Sequence, residues 1–478
     1  MTRRSFALGD QIEFALLSRD FNPIHVDPIA SRRLIYGQPV VHGVNAMLWA
    51  LSEFAAHLRG PVQLQSLTCA FTKPVLLNEE VSILIDAPEA GKAVLRLRQL
   101  GQVVAKVSLA CAPHPDGPAP VFQGQQGPAT SSFSPQPDQV NEADLPGLQG
   151  EFALAFDTTK ALTLYGPALF ASFGSQVIAE ITALTKVVGM HAPGLNSLFT
   201  EIQLKPASAP RVPDQLRYQT QDYDQRFHQL VVACHSHTFD ARLKAFYRPA
   251  AVAQAPYAAL KRSVSDQEFA SQRALIVGGS RGLGEVTAKY LAAGGARVML
   301  TYSRGAADAS AIVSDITSQG GQATAAAFDL SSFTDESLGA LDDFAPTDIY
   351  YFATPFIFSG KKDVFSGPRL QQFMDFYLLG FHRLLDRYIQ RGTKRYFCPS
   401  SVALDEMPAA MGEYCVAKAA AEAYCEWVVR NRPGITITHP RLPRLATDQT
   451  ASIAAADNGD TALMLQLLRD FSLAGRPT

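Results

Sequence analysis

Cysteine, tryptophan and charged residues are scarce in this chain of 478 residues. It has six cysteines without a C-x-x-C pair and two tryptophans, and only 18% of its residues are charged. Scattered cysteines favour free thiols in a reducing compartment, so we expect a cytoplasmic protein. Lys and Arg total 42 against 44 for Asp and Glu, and this balance argues against a nucleic-acid binder. The apolar runs are interrupted and shorter than the ~20 residues of a membrane span, and no secretory signal precedes Gly9.

The chain length predicts two to four domains. Residues 112–150 hold eight prolines and five glycines, which is typical of a linker or an extended crossover. A weaker break lies near Pro249–Ser265, ahead of a new strand pattern. We therefore predict three domains, over residues 1–128, 129–255 and 265–478.

The first two domains resemble loose copies of each other. Each has one long apolar helix, Val44–Leu58 or about Ala168–Leu184, followed by strand-like segments. Both also carry a Lys-Pro pair at the end of the first strand, at Lys73 and at Lys205. A helix that is apolar on nearly every face is normally buried. The pattern predicts two α+β units in tandem, each a buried helix wrapped by an antiparallel sheet, which is the double hot-dog arrangement.

The third domain alternates short apolar strands with helices, which indicates βαβ units and an α/β fold with a doubly wound parallel sheet of Rossmann type. The predicted strands are Ala274–Val277, Arg297–Tyr302, Thr324–Phe328, Asp348–Phe352, Arg395–Cys398 and Ile435–His439.

The first chemical motif follows a helix that we expect to begin at Asp10, where Glu13 completes a capping-box pattern. The segment Asp20-Phe-Asn22-Pro-Ile-His25 places an acid and an imidazole on either side of a turn made rigid by proline. Such a pair can aim both side chains at one water molecule and can serve as acid and base for adding or removing water.

This segment resembles the MaoC-like dehydratases, which include the (R)-specific enoyl-CoA hydratases, because His42-Gly43 follows before the apolar helix. The resemblance implies that Asp20 and His25 form the catalytic dyad and that Asn22 orients it. His42 and Gly43 would lie at the thioester, with the Gly43 N–H holding its oxygen. The family has Gly where this chain has Arg19, which could change substrate fit or contact a phosphate. The second domain lacks the motif, and the resemblance implies that it is non-catalytic and shapes the acyl pocket.

The second motif is a glycine-rich loop between an apolar strand and a helix. Glycines let the backbone approach a pyrophosphate at a helix N-terminus. Further along, Tyr414 and Lys418 share one helical face, so the ammonium can make the phenol a usable proton donor. Ser401 lies 13 residues before Tyr414.

These pieces, at this spacing, resemble the short-chain dehydrogenase/reductase family. The resemblance implies that Tyr414 protonates a carbonyl oxygen, that Ser401 hydrogen-bonds it and that Lys418 binds the nicotinamide ribose. The positions that it assigns to cofactor binding are Gly278, Ser280, Arg281, Gly282, Leu283, Gly284, Asp329, Leu330, Ala353 and Lys418.

The expected cofactor is NADPH. No acidic residue ends the second strand to hold a free ribose diol, while Arg281 and Arg304 could grip a 2′-phosphate. Three departures from the family weaken the catalytic prediction. Its helical Asn falls at Tyr377, its Pro-Gly after the sixth strand reads Pro440-Arg441, and the chain ends about 30 residues early.

The two reactions are consecutive, so the sequence predicts a bifunctional 3-oxoacyl thioester reductase and 3-hydroxyacyl thioester dehydratase of fatty-acid or polyketide-like biosynthesis. Its substrate would be carried by acyl carrier protein or coenzyme A. We expect no metal, because Cys234, His235 and His237 have no further ligand pair at zinc-like spacing, and we expect a homo-oligomer. Three alternatives remain: the reverse direction, as in β-oxidation; a working dehydratase with an inactive reductase-like module; and a live reductase whose hot-dog part only binds acyl chains.

Overall fold

The computed structural model describes residues 2–89, 91–114, 117, 119–126, 136–248, 250, 253–332, 334, 336–360, 362, 364–450 and 462–474. These residues fold into two compact units. The first unit ends at Ala250, and the second comprises the described residues from Ala253 onward.

The first unit is built from one large antiparallel sheet and a set of helices. Its strands are β1 (Arg3–Ser5), β2 (Val62–Phe71), β3 (Glu80–Glu89), β4 (Lys92–Gln99), β5 (Gln102–Pro113), β6 (Gln125–Gln126), β7 (Gln149–Ala153), β8 (Ala155–Phe156), β9 (Ser197–Pro206), β10 (Gln215–Asp224), β11 (Gln229–His235) and β12 (Phe239–Tyr247). Its helices are α1 (Leu8–Ser18), α2 (Pro23–Val26), α3 (Gly43–Ala55), α4 (Thr158–Tyr165), α5 (Pro167–Phe173) and α6 (Ser175–Lys186), and α6 continues as a π-helix over Val187–His191.

The two predicted halves share a single ten-stranded sheet, in the order β1-β3-β4-β5-β2-β9-β12-β11-β10-β7. The junction is the antiparallel pair β2–β9, in which Cys69 lies opposite Ile202 and Ala70 opposite Glu201. One helix from each half, α3 and α6, is buried along nearly its whole length in one continuous apolar core. The double hot-dog prediction is therefore confirmed as the fold of this unit.

Two local predictions in this unit were wrong. The long helix expected over about Ala168–Leu184 is broken, because Gly174 has a φ of +81° that ends α5 before α6 begins. The first helix begins at Leu8, with Asp10 in its first turn rather than at its cap; the Asp10 carboxylate accepts the Ala7 N–H at 2.7 Å. Part of the Pro/Gly-rich segment packs on the core through buried Phe122, while residues 115, 116, 118 and 127–135 lie outside the described residues.

The second unit alternates strands and helices. Its strands are β13 (Arg273–Val277), β14 (Arg297–Tyr302), β15 (Gln322–Ala327), β16 (Asp348–Tyr351), β17 (Arg395–Phe397), β18 (Ser400–Ser401), β19 (Thr436–Thr438) and β20 (Arg441–Leu442). Its helices are α7 (Tyr257–Lys261), α8 (Gly282–Ala293), α9 (Ala306–Thr317), α10 (Gly339–Phe344), α11 (Gly367–Met374), α12 (Phe381–Gln390), α13 (Ala403–Glu406), α14 (Gly412–Asn431) and α15 (Ala462–Leu473).

Six of these strands form one parallel sheet, in the order β15-β14-β13-β16-β17-β19. The order reverses between β13 and β16, and ligands of such sheets bind outside the carboxyl ends of the strands at this point. The prediction of a Rossmann-type sheet is confirmed. Among the described helices, no single one is long and apolar enough to cross a membrane, although the bent pair Pro167–Phe173 and Ser175–His191 meets that test together.

Candidate active sites

Asp20 is the centre of a buried polar cluster in the first unit, and its side chain is 1% exposed. Its Oδ2 accepts a hydrogen bond of 2.6 Å from the Thr185 hydroxyl, and its Oδ1 accepts the Asn22 N–H at 3.1 Å. The metal-ligating atoms of Asp20, His25 and His42 all lie within 4.8 Å of one another. The three residues that the motif singled out are therefore brought together.

The hydrogen bond of His25 fixes its tautomer. Its Nδ1 lies 2.8 Å from the Val40 carbonyl oxygen, which can only accept, so Nδ1 carries the hydrogen and Nε2 carries the lone pair. Burial lowers the pKa of His25 to about 4, and the nearby positive charge of Arg248 also lowers it. His25 therefore presents a neutral imidazole that can accept a proton at Nε2.

His42 stacks on His25, with the ring centroids 3.9 Å apart. Its two ring nitrogens each lie 3.1 Å from a carbonyl oxygen, that of the Gln11 side chain and that of the Asp20 main chain. Burial drives the pKa of His42 well below its usual value. A neutral imidazole has a single N–H, so only one of these oxygens receives a hydrogen bond from the ring.

The second half of the sheet supplies groups that the sequence motif did not reveal. Thr185 lies on α6, and a Cβ at Gly189 would lie 2.2 Å from Oδ1 of Asp20, so only glycine fits beside the carboxylate. The Asn22 amide donates to the carbonyl oxygens of Gly189 and Gly194 at 2.9 and 3.1 Å. Asn22 thus ties the turn between Asp20 and His25 to the other half of the sheet.

Two further positions surround the dyad. Gly43 is the first residue of α3, so its N–H points out of the helix N-terminus and is available to an oxygen atom there. Arg19 has a φ of 63°, the left-handed region, and caps α1. This backbone conformation explains why glycine suits the position before Asp20. Burial lowers the pKa of Lys186, and the charge of Arg19 lowers it further, so two cations lie near each other on this side of the cluster.

The electrostatics of the dyad predict a defined pH range. Burial raises the pKa of Asp20 to about 6, while the hydrogen bonds from Thr185 and Asn22 oppose that rise. With the pKa of His25 at about 4, the pair holds one proton between these values. Acid–base catalysis by the pair in either direction requires that single proton. The rate should therefore fall when the pH drops below the pKa of His25, about 4, and when it rises above the pKa of Asp20, about 6.

Thr185→Val tests this assignment. Its hydroxyl stabilises the Asp20 carboxylate, so its loss should raise the pKa of Asp20 and move the basic limb of the pH–rate profile upward by about one unit. The matched control is Thr182→Val, because Thr182 is on the same helix and bonds only the Ile178 carbonyl at 2.7 Å among the contacts described. A uniform loss of rate without a shifted limb would mean that Thr185 only packs.

The glycine-rich loop of the second unit lies between β13 and α8, as predicted. Gly278 has a φ of +82°, and a Cβ at Gly284 would lie 2.3 Å from the Gly278 carbonyl oxygen. Ala353 lies directly beside the loop, because a Cβ at Gly278 would be 2.7 Å from its backbone nitrogen. Side chains would fill this cradle, so its backbone fits the close approach of a pyrophosphate at the N-terminus of α8. Ser280 is buried, and Leu283 packs against the core under the loop.

The reductase triad residues converge at α14. Tyr414 lies on this helix in an apolar cluster with Tyr377 and Ala403. The Ser401 hydroxyl oxygen accepts the Ala403 N–H at 3.1 Å, which places it beside the same cluster. Lys418 donates to the Pro399 carbonyl at 2.8 Å. The structure therefore gathers Ser401, Tyr414 and Lys418 at one site.

Tyr377 occupies the place where the family has asparagine. Its ring lies edge-on to that of Tyr414, with centroids 5.6 Å apart, and the Lys418 ammonium stands 4.1 Å from its ring centroid. Its hydroxyl is 2.5 Å from the Thr354 hydroxyl. An aromatic face and a phenol thus replace the amide beside the triad, inside a π-helical turn over Asp375–Gly380.

The predicted grip on a 2′-phosphate needs a correction at Arg281. Its guanidinium forms an ion pair of 2.7 Å with Asp448, whose side chain is 4% exposed, so its charge is already paired within the protein. The hydrogen bond from the Ser331 hydroxyl lowers the pKa of Asp329, and the charge of Arg304 lowers it further. The Arg304 side chain is exposed. Leu330 belongs to the core between sheet and helices. Arg304 and Asp329 thus lie close enough for their charges to interact.

Asp448→Asn should strengthen dinucleotide binding. The change removes a buried negative charge beside the phosphate loop and releases Arg281, so we expect the dissociation constant of NADPH to fall about tenfold and that of NADH to fall less. Fluorescence titration of both nucleotides measures this. Asp405→Asn, which removes an exposed ion pair with Arg441, is the control. Equal affinities in Asp448→Asn and the unchanged protein would contradict the role given to this pair.

Two family models match the chain, one in each unit. Residues 3–107 match the MaoC like domain, and residues 272–340 match the short chain dehydrogenase family. The chain therefore carries a MaoC-like dehydratase domain at its N-terminus and a short-chain dehydrogenase region, as the two motifs predicted.

Similar curated proteins match the first unit. The chain is 36% identical over 95 residues to 3-hydroxyacyl-thioester dehydratase Y of Mycobacterium tuberculosis, a match that covers 19% of this chain and 33% of that protein. It is 37% identical over 86 residues to the (R)-specific enoyl-CoA hydratase of Aeromonas caviae, covering 16% of this chain and 60% of that protein. The matched part thus spans between a third and three fifths of the length of these relatives.

Similar solved structures match the second unit. A short chain dehydrogenase from Burkholderia cenocepacia J2315 in complex with NADP is 23% identical, with a TM-score of 0.38, covering 44% of this chain and 95% of that one. A 3-oxoacyl (acyl-carrier-protein) reductase from Agrobacterium tumefaciens C58 with NADP bound is 20% identical, with a TM-score of 0.38, covering 41% and 86%.

Proposed function

We propose that the chain is a bifunctional enzyme that reduces a 3-oxoacyl thioester and dehydrates the resulting 3-hydroxyacyl thioester. The observation that carries the proposal is the buried cluster of Asp20, His25 and His42, in which the pKa of Asp20 is raised to about 6 and that of His25 is lowered to about 4. The cluster stands in the same chain as the gathered Ser401, Tyr414 and Lys418. The dehydratase and hydratase relatives of the first unit, and the match of residues 272–340 to the short chain dehydrogenase family, support the same pair of reactions.

In the dehydration, each member of the dyad moves one proton. His25 takes the α-proton of the 3-hydroxyacyl thioester at Nε2, and protonated Asp20 gives its proton to the departing hydroxyl, so that water and a 2-enoyl thioester form. Charge that develops on the thioester oxygen is stabilised by the Gly43 N–H at the N-terminus of α3. The cations Arg19 and Lys186 suit the phosphate of a coenzyme A or carrier-protein arm.

In the reduction, the chain positions the carbonyl and supplies the proton. A bound nicotinamide supplies the hydride to the carbonyl carbon. Ser401 donates a hydrogen bond to the carbonyl oxygen, and Tyr414 delivers a proton to it. Lys418 binds the ribose, and its positive charge stabilises the phenolate that Tyr414 becomes. The resulting (R)-3-alcohol would be the substrate of an (R)-specific dehydratase.

NADPH is the proposed cofactor, because Tyr302, Ser303 and Arg304 at the end of β14 offer no carboxylate to a ribose diol and one guanidinium to a 2′-phosphate. The proposal includes a homo-oligomer, no metal, and the three domains over residues 1–128, 129–255 and 265–478. It includes a cytoplasmic location, since all six cysteines are free and buried. The pathway would be fatty-acid or polyketide-like biosynthesis.

One experiment separates the proposal from its rivals. The protein is incubated with NADPH and a 3-oxoacyl thioester, on coenzyme A and on acyl carrier protein in separate arms, and the acyl products are weighed. We expect a gain of two hydrogen atoms followed by the loss of one water. No NADPH consumption with either carrier would favour an inactive reductase-like module. NADPH consumption that persists in Tyr414→Phe would remove Tyr414 as the proton donor, and preferred hydration and oxidation would favour the β-oxidation direction.

A further inference from the structure

The two halves of the first unit are related by an approximate two-fold axis that can be read from the strand register. The same spacing of 132 residues separates Gly43 from Ser175, the first residues of α3 and α6, and Lys73 from Lys205. By this spacing Cys69 corresponds to Glu201, and Ala70 corresponds to Ile202. The two-fold operation therefore turns the observed pair Cys69–Ile202 into the pair Ala70–Glu201, which is also observed at the β2–β9 junction. The axis therefore passes between these two pairs.

A half-open cavity of about 320 Å³ lies in the first unit, at the lower end of the range for small-molecule pockets. Its lining residues come from the start of β2, the end of β9, α5, α6, β12 and the loops beside them. They include Val62, Leu64, Val177, Lys205, His114 and His237.

The cavity is the two-fold counterpart of the catalytic site. Val62 and Gln63 correspond by the spacing to Gly194 and Leu195, whose carbonyl oxygens lie at 3.1 and 3.4 Å from the Asn22 amide in the catalytic half. At the other end, Ala207 corresponds to Val75, whose carbonyl accepts an N–H from the residue before His42. The cavity has thus kept the position of an active site.

Its chemistry is different from that of the catalytic site. His42 corresponds to Gly174, and a Cβ at Gly174 would lie 2.3 Å from the Pro120 carbonyl oxygen, so Pro120 occupies the place of the second imidazole. Asn45 corresponds to Val177, which lines the cavity. Pro120 and Val177 are thus apolar where the catalytic half has His42 and Asn45, so an alkyl chain can lie on this side of the cavity.

The polar groups that line this cavity include bases and no acids. Lys205 is exposed, and His114 and His237 lie with it among the lining residues, which include no Asp or Glu. Asp240 lies opposite Lys205 in the β9–β12 ladder, and its carboxylate is paired with Arg211 at 2.8 Å and with His235 at 2.6 Å. A second carboxylate, Glu180, accepts hydrogen bonds from Gln176 and Ser236 at 2.6 Å and from the Thr238 N–H at 3.0 Å. This carboxylate is fully buried and turned to those donors.

We infer that this cavity is a second ligand site that binds a medium-chain fatty carboxylate. The alkyl chain lies against Val62, Leu64 and Val177, and the carboxylate meets Lys205 and the imidazoles. The site is separate from the reaction at Asp20, and it requires no assumption about the reductase or the direction of the pathway.

Titration of the full-length protein with octanoate by calorimetry tests this inference. We expect saturable binding that is weaker for octanamide, because the amide cannot pair with Lys205. Lys205→Ala should weaken octanoate about three- to fivefold, and Val177→Trp, which fills the cavity, should weaken it at least about tenfold. The matched control is Lys73→Ala, the two-fold counterpart of Lys205, which should leave the affinity unchanged.

Several outcomes would overturn the inference: no saturable binding, equal affinities for octanoate and octanamide, or equal loss in Lys73→Ala and Lys205→Ala. Binding that is unchanged in a folded Val177→Trp would place the ligand elsewhere. Circular dichroism checks the fold of that variant, and if it does not fold, Lys205→Ala and the amide comparison decide.

Discussion

Asp20→Asn is expected to lower the rate of enoyl thioester hydration, and of the reverse dehydration, about a thousandfold. Asparagine keeps the size of the side chain; its oxygen can accept the Asn22 N–H, and its NH2 group can donate to the Thr185 hydroxyl oxygen, which reverses that hydrogen bond. It cannot gain or lose the proton that the reaction moves. The loss should therefore appear in kcat with little change in stability, measured by the absorbance of the enoyl thioester and by thermal unfolding.

The best control for Asp20→Asn lies seven residues further along the same segment. Asp27 accepts the N–H groups of Ile29 and Ala30 at 2.7 and 3.0 Å, and it is not part of the buried cluster. Asp27→Asn should retain most of the hydratase rate. NADPH-dependent reduction by Asp20→Asn provides an internal control, because Tyr414 is in the other unit. More than a tenth of the normal hydration rate in Asp20→Asn would exclude this carboxyl as the acid–base group.

Residues close in sequence could be predicted because short segments fix their geometry. Asn22 and Pro23 shape the turn between Asp20 and His25, and one helical turn separates Tyr414 from Lys418. The apolar pattern similarly indicated α3 and the six parallel strands. In each case the chemistry depends on spacing within one element, or on a fold whose strands are strongly apolar.

Residues contributed by the other half of the sheet could not be predicted in this way. Thr185 and Gly189 reach Asp20 only because β2 pairs with β9, across more than a hundred residues of chain. The register of the β2–β9 pair and the rotation of α6 about its axis decide which α6 side chain faces the carboxylate. A short sequence motif predicts neither of them. The sole local signal was a glycine inside an apolar helix, which often marks close approach.

The broken helix and the Arg281–Asp448 pair show a second limit. Hydrophobic periodicity continues through Gly174, so it predicts one helix where the φ of +81° produces two. Arg281 was assigned from the loop motif, but its partner comes from a segment 167 residues later. A charged side chain selects its partner from the folded surface, and the motif alone could not reveal that Asp448 is buried beside it.

Tyr414→Phe is expected to lower the rate of 3-oxoacyl thioester reduction about a thousandfold while NADPH still binds. Phenylalanine retains the packing in the cluster with Phe373 and Tyr377, whose rings lie 5.7 and 5.6 Å from that of Tyr414. It removes the hydroxyl that protonates the carbonyl oxygen. Stopped-flow absorbance of NADPH measures the loss, and fluorescence titration shows that the cofactor site persists.

Tyr424→Phe is the matched control for Tyr414→Phe, because Tyr424 lies on the same helix and its hydroxyl contacts His382 Nδ1 at 2.6 Å, away from the triad. It should reduce the thioester at nearly the normal rate.

Tyr377→Phe tests whether the Tyr377 hydroxyl takes the place of the asparagine side chain that the family has at this position. A fall in the reduction rate without a fall in NADPH affinity would give this hydroxyl, which is bonded to Thr354, a part in proton delivery. If Tyr414→Phe reduces the substrate at the normal rate, the proton must come from another group, and Tyr377, in edge-to-face contact with Tyr414, is the residue to change next.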